Sequence, residues 1–63
     1  MTIGECIANK RKDCGLTQEE LAQLAGTSQS YLSLVESDKC VPGINLLKRL
    51  SKALNVECSY FRS

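Results

Sequence analysis

The feature that most restricts the fold of this chain is a break of only two residues, Gly26-Thr27, between two segments with helical periodicity. Apolar side chains recur at helical spacing from about residue 17 to 25 and again from 28 to 37. A connection this short makes two helices cross steeply and pack through small side chains, which Ala22 and Ala25 supply. The sequence therefore predicts a pair of helices joined by a tight turn.

Capping signals place the ends of both helices. The Thr17 hydroxyl can accept a hydrogen bond from the Glu20 amide, while the Glu20 carboxylate can reach back to the start of the helix. Gly26 suits the left-handed conformation in which many helices end. Ser28 can cap the following helix, which is expected to end near Ser37.

The rest of the chain also carries helical rather than strand periodicity. Helices are expected over about 3–13, with Gly15 as the stop, and over 44–54; a short turn or helix over 56–61 would close the domain. The apolar stripes of the first and fourth helices are Ile3, Cys6 and Ile7, and Ile44, Leu47, Leu50, Ala53 and Leu54. The expected fold is all-α, one compact five-helix domain over residues 1–63.

Composition and charge narrow the class of protein. Hydrophobic residues make up 43% and charged residues 24% of the chain, as in ordinary globular proteins. No apolar run approaches the roughly 20 residues that span a bilayer, and Glu5 with Lys10-Arg11-Lys12-Asp13 interrupts any signal-peptide core. We therefore expect a cytoplasmic protein with no membrane partner. The net charge of +1 alone is weak support for nucleic-acid binding.

Cysteine is frequent in this short chain, at Cys6, Cys14, Cys40 and Cys58. No two cysteines have the close spacing of a structural zinc site, and the chain contains no histidine. A disulfide framework would suit a secreted miniprotein, which nothing in this sequence indicates. Free thiols that pack as small hydrophobic groups are the favoured interpretation, and no metal site is expected.

The third helix presents a distinct outer side. At about 100° per residue, Leu32 and Val35 fall on the inward side. The opposite side carries short side chains and no charge: Ser30, Ser33, Leu34 and Ser37, flanked by Gln29. A groove of DNA would suit such a surface, because glutamine can pair with the adenine edge, serine with several bases, and an apolar group with the thymine methyl. A merely solvated helix face is the alternative.

A longer series of residues, in register and without an insertion, carries a family resemblance. It comprises Ile7 with Arg11, Gly15-Leu16-Thr17-Gln18-Glu19-Glu20-Leu21-Ala22, Gly26, Ser28-Gln29-Ser30-Tyr31-Leu32-Ser33, Glu36, Pro42 and Ala53-Leu54-Asn55-Val56. In these residues the chain resembles the lambda-repressor-like, Cro/Xre family of phage and bacterial regulators. The resemblance implies a helix-turn-helix at 18–37 whose second helix enters the major groove of double-stranded DNA.

The resemblance also assigns roles to single residues. Base contacts would come from Gln29, Ser30, Ser33 and Leu34, and contacts to the DNA backbone from Gln18, Ser28, Ser37 and Lys39. Arg11 and Glu36 match an arginine and a glutamate that form a partly buried ion pair in the family, so a structural role is expected for both.

Three positions depart from the family pattern. Asp38 stands where the family usually has glycine, although aspartate tolerates a left-handed backbone fairly well. Gly43 replaces the usual serine cap of the fourth helix, and a glycine cap costs little relative to serine. Leu34 replaces a residue that is more often polar, so it could contact a thymine methyl or a protein surface.

Two functions remain open from the sequence. The first is a sequence-specific transcriptional regulator, a repressor that binds a palindromic operator as a homodimer. The second is a protein-binding module, such as an antitoxin or adaptor, that uses Leu34 and the apolar residues Val56, Tyr60 and Phe61. An enzyme is not expected, because histidine, a phosphate loop and a paired carboxylate site are missing. No cofactor or small-molecule site is expected either.

Overall fold

The computed structural model describes residues 1–56, which form four α-helices. They are α1 (Ile3–Asp13), α2 (Gln18–Ala25), α3 (Gln29–Glu36) and α4 (Ile44–Leu54). The described residues contain no strand, as the all-α prediction requires. The count of five helices does not hold for this part of the chain: the fifth, expected over 56–61, lies outside the described residues apart from Val56, which is not helical.

Side-chain caps fix the first turns of α1 and α2. The capping box predicted at Thr17 is confirmed: its Oγ1 accepts from the Glu20 amide at 3.1 Å, and the Thr17 amide donates to a Glu20 carboxylate oxygen at 2.9 Å. Thr2 and Glu5 form the same arrangement at α1. The pKa of the exposed Glu5 carboxyl lies below its ordinary value. The main cause is the hydrogen bond from the Thr2 backbone amide, and the Thr2 side chain is the second cause.

The turn between α2 and α3 has the conformation that its sequence predicts. Gly26 is left-handed, with φ of +69°, and its amide bonds back to the end of α2. The Ser28 hydroxyl oxygen then accepts from the Tyr31 amide at 3.1 Å and caps α3. One residue, Thr27, therefore separates the C-cap of α2 from the N-cap of α3.

One hydrophobic core holds the four helices together. Helix α2 packs against α3 and α4, and α1 packs against α3 and, less extensively, against α4. Its buried side chains are Ile7, Leu21, Ala22, Ala25, Leu32, Val35, Leu46, Leu47, Leu50 and Leu54. The stripe predicted for α4 was wrong at one end. Ile44 is 45% exposed because it is the first residue of the helix, whereas Leu46 is buried.

The start of α1 packs tightly against the end of α3. Gly4 is buried there, and a Cβ built on it would lie 2.5 Å from the Val35 carbonyl oxygen and 2.7 Å from that of Glu36. Contacts this short are not tolerated between a methyl group and backbone oxygens. Only glycine at this position allows the observed packing of α1 on α3.

Three of the four cysteines lie within the described residues. Cys6 and Cys40 are half-buried, Cys14 is exposed, and all three are free thiols; Cys58 lies outside the described residues. Within residues 1–56, no helix is long and apolar enough to cross a membrane.

Candidate nucleic-acid interface

Helix α3 buries one side and exposes the other. Leu32 and Val35 are fully buried. Four side chains form the exposed side, which we call the outer face: Gln29, Ser30, Ser33 and Leu34. Leu34 is the largest exposed apolar group on it, at 40% exposure. The outer face carries no charged group and, within the described part of the chain, its side chains make no hydrogen bond or ion pair.

A shallow depression connects the outer face to the start of α2. Its volume is about 370 Å³, and its lining residues are Gln18, Gln29, Ser30 and Ser33. The fold therefore brings together one residue predicted to contact the DNA backbone and three predicted to contact bases. Leu34 lies outside the depression, farther along α3.

Beside this depression, three residues form a junction between α1, α2 and α3. Arg11 donates from Nε to Glu36 Oε2 at 2.9 Å and from Nη2 to Oε1 at 3.2 Å. Its Nη1 also donates to the Leu16 carbonyl oxygen at 2.8 Å. The side chains of Arg11 and Glu36 are only 12% and 6% exposed. This geometry is a bidentate, mostly desolvated ion pair that ties α1 to α3. We call Arg11, Gln18 and Glu36 the three-helix junction.

The Gln18 side chain belongs both to the three-helix junction and to the wall of the depression. Its side-chain Nε2 donates to Glu36 Oε1 at 3.0 Å, while the residue also lines the depression. It is the first residue of α2, where backbone N–H groups have no partner within the helix. The bond to Glu36 holds the Gln18 side chain in place but leaves a second amide hydrogen available to an anion at this helix end.

The remaining predicted backbone contacts differ in what they can donate. Ser28 uses its oxygen to cap α3, so its hydroxyl hydrogen stays available. The Ser37 hydroxyl donates to the Ser33 carbonyl oxygen at 2.9 Å and also lies 3.2 Å from the Leu34 carbonyl oxygen. Its hydrogen, which a contact to phosphate would need, is therefore already engaged. Lys39 is exposed and has no partner within residues 1–56.

Asp38 takes part in a contact that the sequence did not reveal. It adopts the left-handed conformation, with φ of +63°. Its carboxylate accepts from the Thr2 hydroxyl at 2.6 Å and from the Gly4 amide at 3.2 Å. We call Thr2, Gly4 and Asp38 the α1 clamp. The only signal in the sequence was an aspartate where the resembling family has glycine.

A second depression lies between the end of α2 and the outer side of α4. Its volume is about 610 Å³, and Leu24, which is 62% exposed, lies in its wall beside Arg49 and Lys52. It shares no residue with the first depression. In the described part of the chain, no group of His, Cys, Asp and Glu side chains is arranged to hold a metal ion.

Comparison with known proteins identifies the family. The helix-turn-helix family matches residues 7–61 of this chain. The immunity repressor protein of Bacillus phage phi105 is 39% identical over 59 residues, which are 94% of this chain and 41% of that protein. The regulator SinR of Bacillus subtilis is 40% identical over 55 residues, 86% of this chain and 50% of SinR. The chain thus spans half or less of the length of these two relatives.

Solved structures of the same fold include two complexes with DNA. The P22 c2 repressor in complex with a synthetic operator superposes with a TM-score of 0.92 at 31% identity, covering 97% of this chain and 92% of that one. SinR in complex with DNA superposes with a TM-score of 0.94 at 35% identity, covering 98% of this chain and all of that one. The chain belongs to the helix-turn-helix family, in the lambda-repressor-like group of Cro/Xre-type regulators.

Proposed function

We propose that this chain is a single DNA-binding domain over residues 1–63 that binds double-stranded DNA sequence-specifically and acts as a Cro/Xre-type transcriptional repressor. The observation that carries the proposal is the outer face: an exposed, charge-free side of α3 that adjoins the unpaired amides at the start of α2. The relatives named as repressors, and the two solved complexes with operator or DNA, support it. The proposal includes no catalytic step and no cofactor, and it places the protein in the cytoplasm with its DNA.

The outer face supplies the groups needed to distinguish bases. The major groove is about 12 Å wide and admits an α-helix, provided that the side chains facing it are short enough. Gln29, in the first turn of α3, can pair with the N6 and N7 edge of adenine, while the hydroxyls of Ser30 and Ser33 can donate or accept. Leu34 can contact a thymine methyl group. With no charge on this face, discrimination depends on hydrogen bonds and shape.

Contacts to the DNA backbone set the position of the helix. Gln18 and the amides at the start of α2 can bind one phosphate, and the Ser28 hydroxyl and the Lys39 ammonium can bind others. Ser37 is the weakest member of the predicted set, because its hydroxyl hydrogen is engaged within α3. Few cations take part, so affinity at physiological salt is expected to be modest and to fall as salt rises.

A homodimer on a palindromic operator completes the proposal. Two recognition helices related by a two-fold axis can occupy half-sites about one helical turn apart. The loop that follows α3 exposes Val41 at 85%, and Ile44 at the start of α4 is half-exposed. Apolar groups next to the recognition helix are suited to a contact between two protomers. For Val56, Tyr60 and Phe61 the sequence leaves two roles open, completion of the core or a two-fold interface.

A protein-binding role is the second candidate, and one observation favours it. Leu24 is more exposed than Leu34 and lies beside two cations in the second depression, which shares no residue with the outer face. An antitoxin or adaptor could hold a partner protein there. This role does not require the outer face to contact DNA.

Selection of bound sequences from a random duplex pool at low salt tests the proposal. Enrichment of a palindromic sequence is expected. Gln29→Ala should then weaken binding to the selected sequence by about 1–3 kcal/mol and relax preference at one base pair. Gln18→Ala should weaken binding to all duplexes alike. Gln23→Ala, an exposed glutamine of α2 outside the first depression, is the matched control and should bind as the wild type does. Failure to enrich any sequence would favour the protein-binding role.

A further inference from the structure

The α1 clamp joins two places that are distant in sequence. Thr2 and Asp38 are 36 residues apart, yet Thr2 Oγ1 donates to Asp38 Oδ2 at 2.6 Å. The Gly4 amide lies in the first turn of α1 and has no acceptor within that helix; it donates to the other carboxylate oxygen of Asp38 at 3.2 Å. The carboxylate is thus compensated by two donors and by the positive end of the α1 dipole.

The Thr2 hydroxyl serves in two bonds at once. Its oxygen accepts from the Glu5 amide at 3.1 Å and its hydrogen goes to Asp38. A hydroxyl can fill both roles because it is one donor and also an acceptor. Serine could replace threonine here, whereas valine, which has the same shape, could make neither bond.

On its other side, Asp38 fixes the start of the loop that carries Lys39. The Asp38 amide donates to the Val35 carbonyl oxygen at 3.1 Å, and the amides of Lys39 and Cys40 both donate to that of Leu34, at 2.9 and 3.3 Å. The main chain of this segment therefore folds back on the last turn of α3. With the Asp38 side chain held on α1, the backbone of Lys39 is constrained from both sides.

We propose that Asp38 is a positioning residue for DNA binding: through the α1 clamp it fixes the backbone of Lys39 so that the ammonium group meets a phosphate of the bound duplex. This inference rests on the proposed function. Lys39 itself is exposed and has no partner in the described part of the chain, so its flexible side chain gains orientation only from the backbone that carries it. Asp38 acts from a distance and contacts no DNA.

The test compares Thr2→Val with Thr2→Ser, at a temperature at which circular dichroism shows every variant folded. Thr2→Val should speed hydrogen exchange of the Lys39 and Cys40 amides about tenfold, because the segment opens locally, and should weaken binding to the selected duplex about fivefold. In the wild type, Lys39→Ala should weaken binding and lower the salt slope by about one. In the Thr2→Val background, Lys39→Ala should cost less than about twofold, since the ammonium is no longer positioned. Thr2→Ser should behave as the wild type.

Asp38→Asn is the milder second variant. Its amide oxygen can still accept from Gly4 and its backbone tolerates the left-handed conformation, but it loses the second carboxylate acceptor. It should fall between the wild type and Thr2→Val in both exchange and affinity. If Thr2→Val and Asp38→Asn lower only the melting temperature, and Lys39→Ala keeps its full effect in both backgrounds, the clamp merely stabilises the fold and this inference is overturned. A wild-type protein that binds no duplex would instead contradict the proposed function, and the positioning role with it.

Discussion

Two parts of helix α3 contrast sharply. Its outer face, Gln29, Ser30, Ser33 and Leu34, is exposed, and within residues 1–56 its side chains have no partner. Its C-terminal end contributes Glu36, which is almost fully buried and receives hydrogen bonds from Arg11 and Gln18. One eight-residue helix therefore has a surface that is free to meet another molecule and an end that belongs to the structural core.

This contrast separates residues that stabilise the fold from residues that we propose to contact DNA. Substitutions on the outer face break no hydrogen bond or ion pair within the described residues, so they should change the free energy of unfolding little. Substitutions of Arg11 or Glu36 break a desolvated ion pair and should act on the fold first.

Glu36→Ala should give the largest loss of stability. It would leave the Arg11 guanidinium mostly buried and without its counter-charge, a change that typically costs about 3–5 kcal/mol. A domain of this size has a total free energy of unfolding of roughly the same magnitude, so the variant should be largely unfolded at 37 °C. Urea denaturation followed by circular dichroism measures the effect. Glu19→Ala, an exposed carboxylate on α2, is the control, and equal midpoints for the two variants would refute a structural role for Glu36.

Gly4→Ala should be destabilising even though alanine favours helices. Alanine gains about 1 kcal/mol over glycine in a helix interior, but its Cβ would lie 2.5 Å from the Val35 carbonyl oxygen. Because backbone oxygens cannot move aside as a flexible side chain can, α1 must shift, and we expect a net loss of about 1–3 kcal/mol. Thermal unfolding measures it, with Lys12→Ala as an exposed control on the same helix. A raised melting temperature for Gly4→Ala would show that α1 does not pack this closely.

Leu34→Ala should separate the two parts of α3 most clearly. The side chain is 40% exposed, so its loss should change the free energy of unfolding by less than about 1 kcal/mol. Binding to the selected duplex should weaken by about 1 kcal/mol, because contact with a thymine methyl is lost. Titration with that duplex and with one in which uracil replaces thymine gives the measurement. Equal weakening on both duplexes would exclude the methyl contact.

The smallest expected effect is on the loss of stability at low pH. Hydrogen bonds from Thr2 hold the pKa of the Glu5 carboxyl below the ordinary value of 4.5. A carboxyl whose pKa is lower in the folded state contributes stability above its unfolded pKa, and that contribution disappears as the pH falls through the folded pKa. Glu5→Gln should therefore reduce the loss of stability that acid causes below about pH 4.5. Near pH 7 the variant should be slightly less stable than the wild type. Melting curves at pH 7 and pH 3.5 compare the variant with the wild type. The outer face has no titratable group, so its contacts should not contribute to this change.

Local signals in the sequence predicted most of the fold. The capping box at Thr17, the left-handed Gly26 and the Ser28 cap each depend on residues within a few positions of one another, and all are present. The buried and exposed sides of α3 followed from periodicity alone. Periodicity misplaced Ile44, because it describes which side of a helix a residue occupies and not how far the core extends along it.

Contacts between distant residues were harder to predict. The Arg11–Glu36 pair came only from the family resemblance, and nothing in the sequence indicated that Gln18 would join it. The bonds from Thr2 and Gly4 to Asp38 span more than thirty residues and exist because glycine lets α1 approach α3. Such contacts depend on how whole helices pack, which no local pattern encodes.

The depression lined by Gln18, Gln29, Ser30 and Ser33 has a consequence for solvent. Its volume of about 370 Å³ is that of roughly a dozen water molecules, each occupying ~30 Å³ in the liquid. All four lining side chains are polar, so water held there can bridge them to a bound duplex or be released to the bulk. Base sequences that let the short serines keep bridging waters will compete with sequences that expel them. Under the proposed function, operator affinity should therefore respond to the osmotic strength of the medium, and hydration would contribute to base discrimination by the outer face.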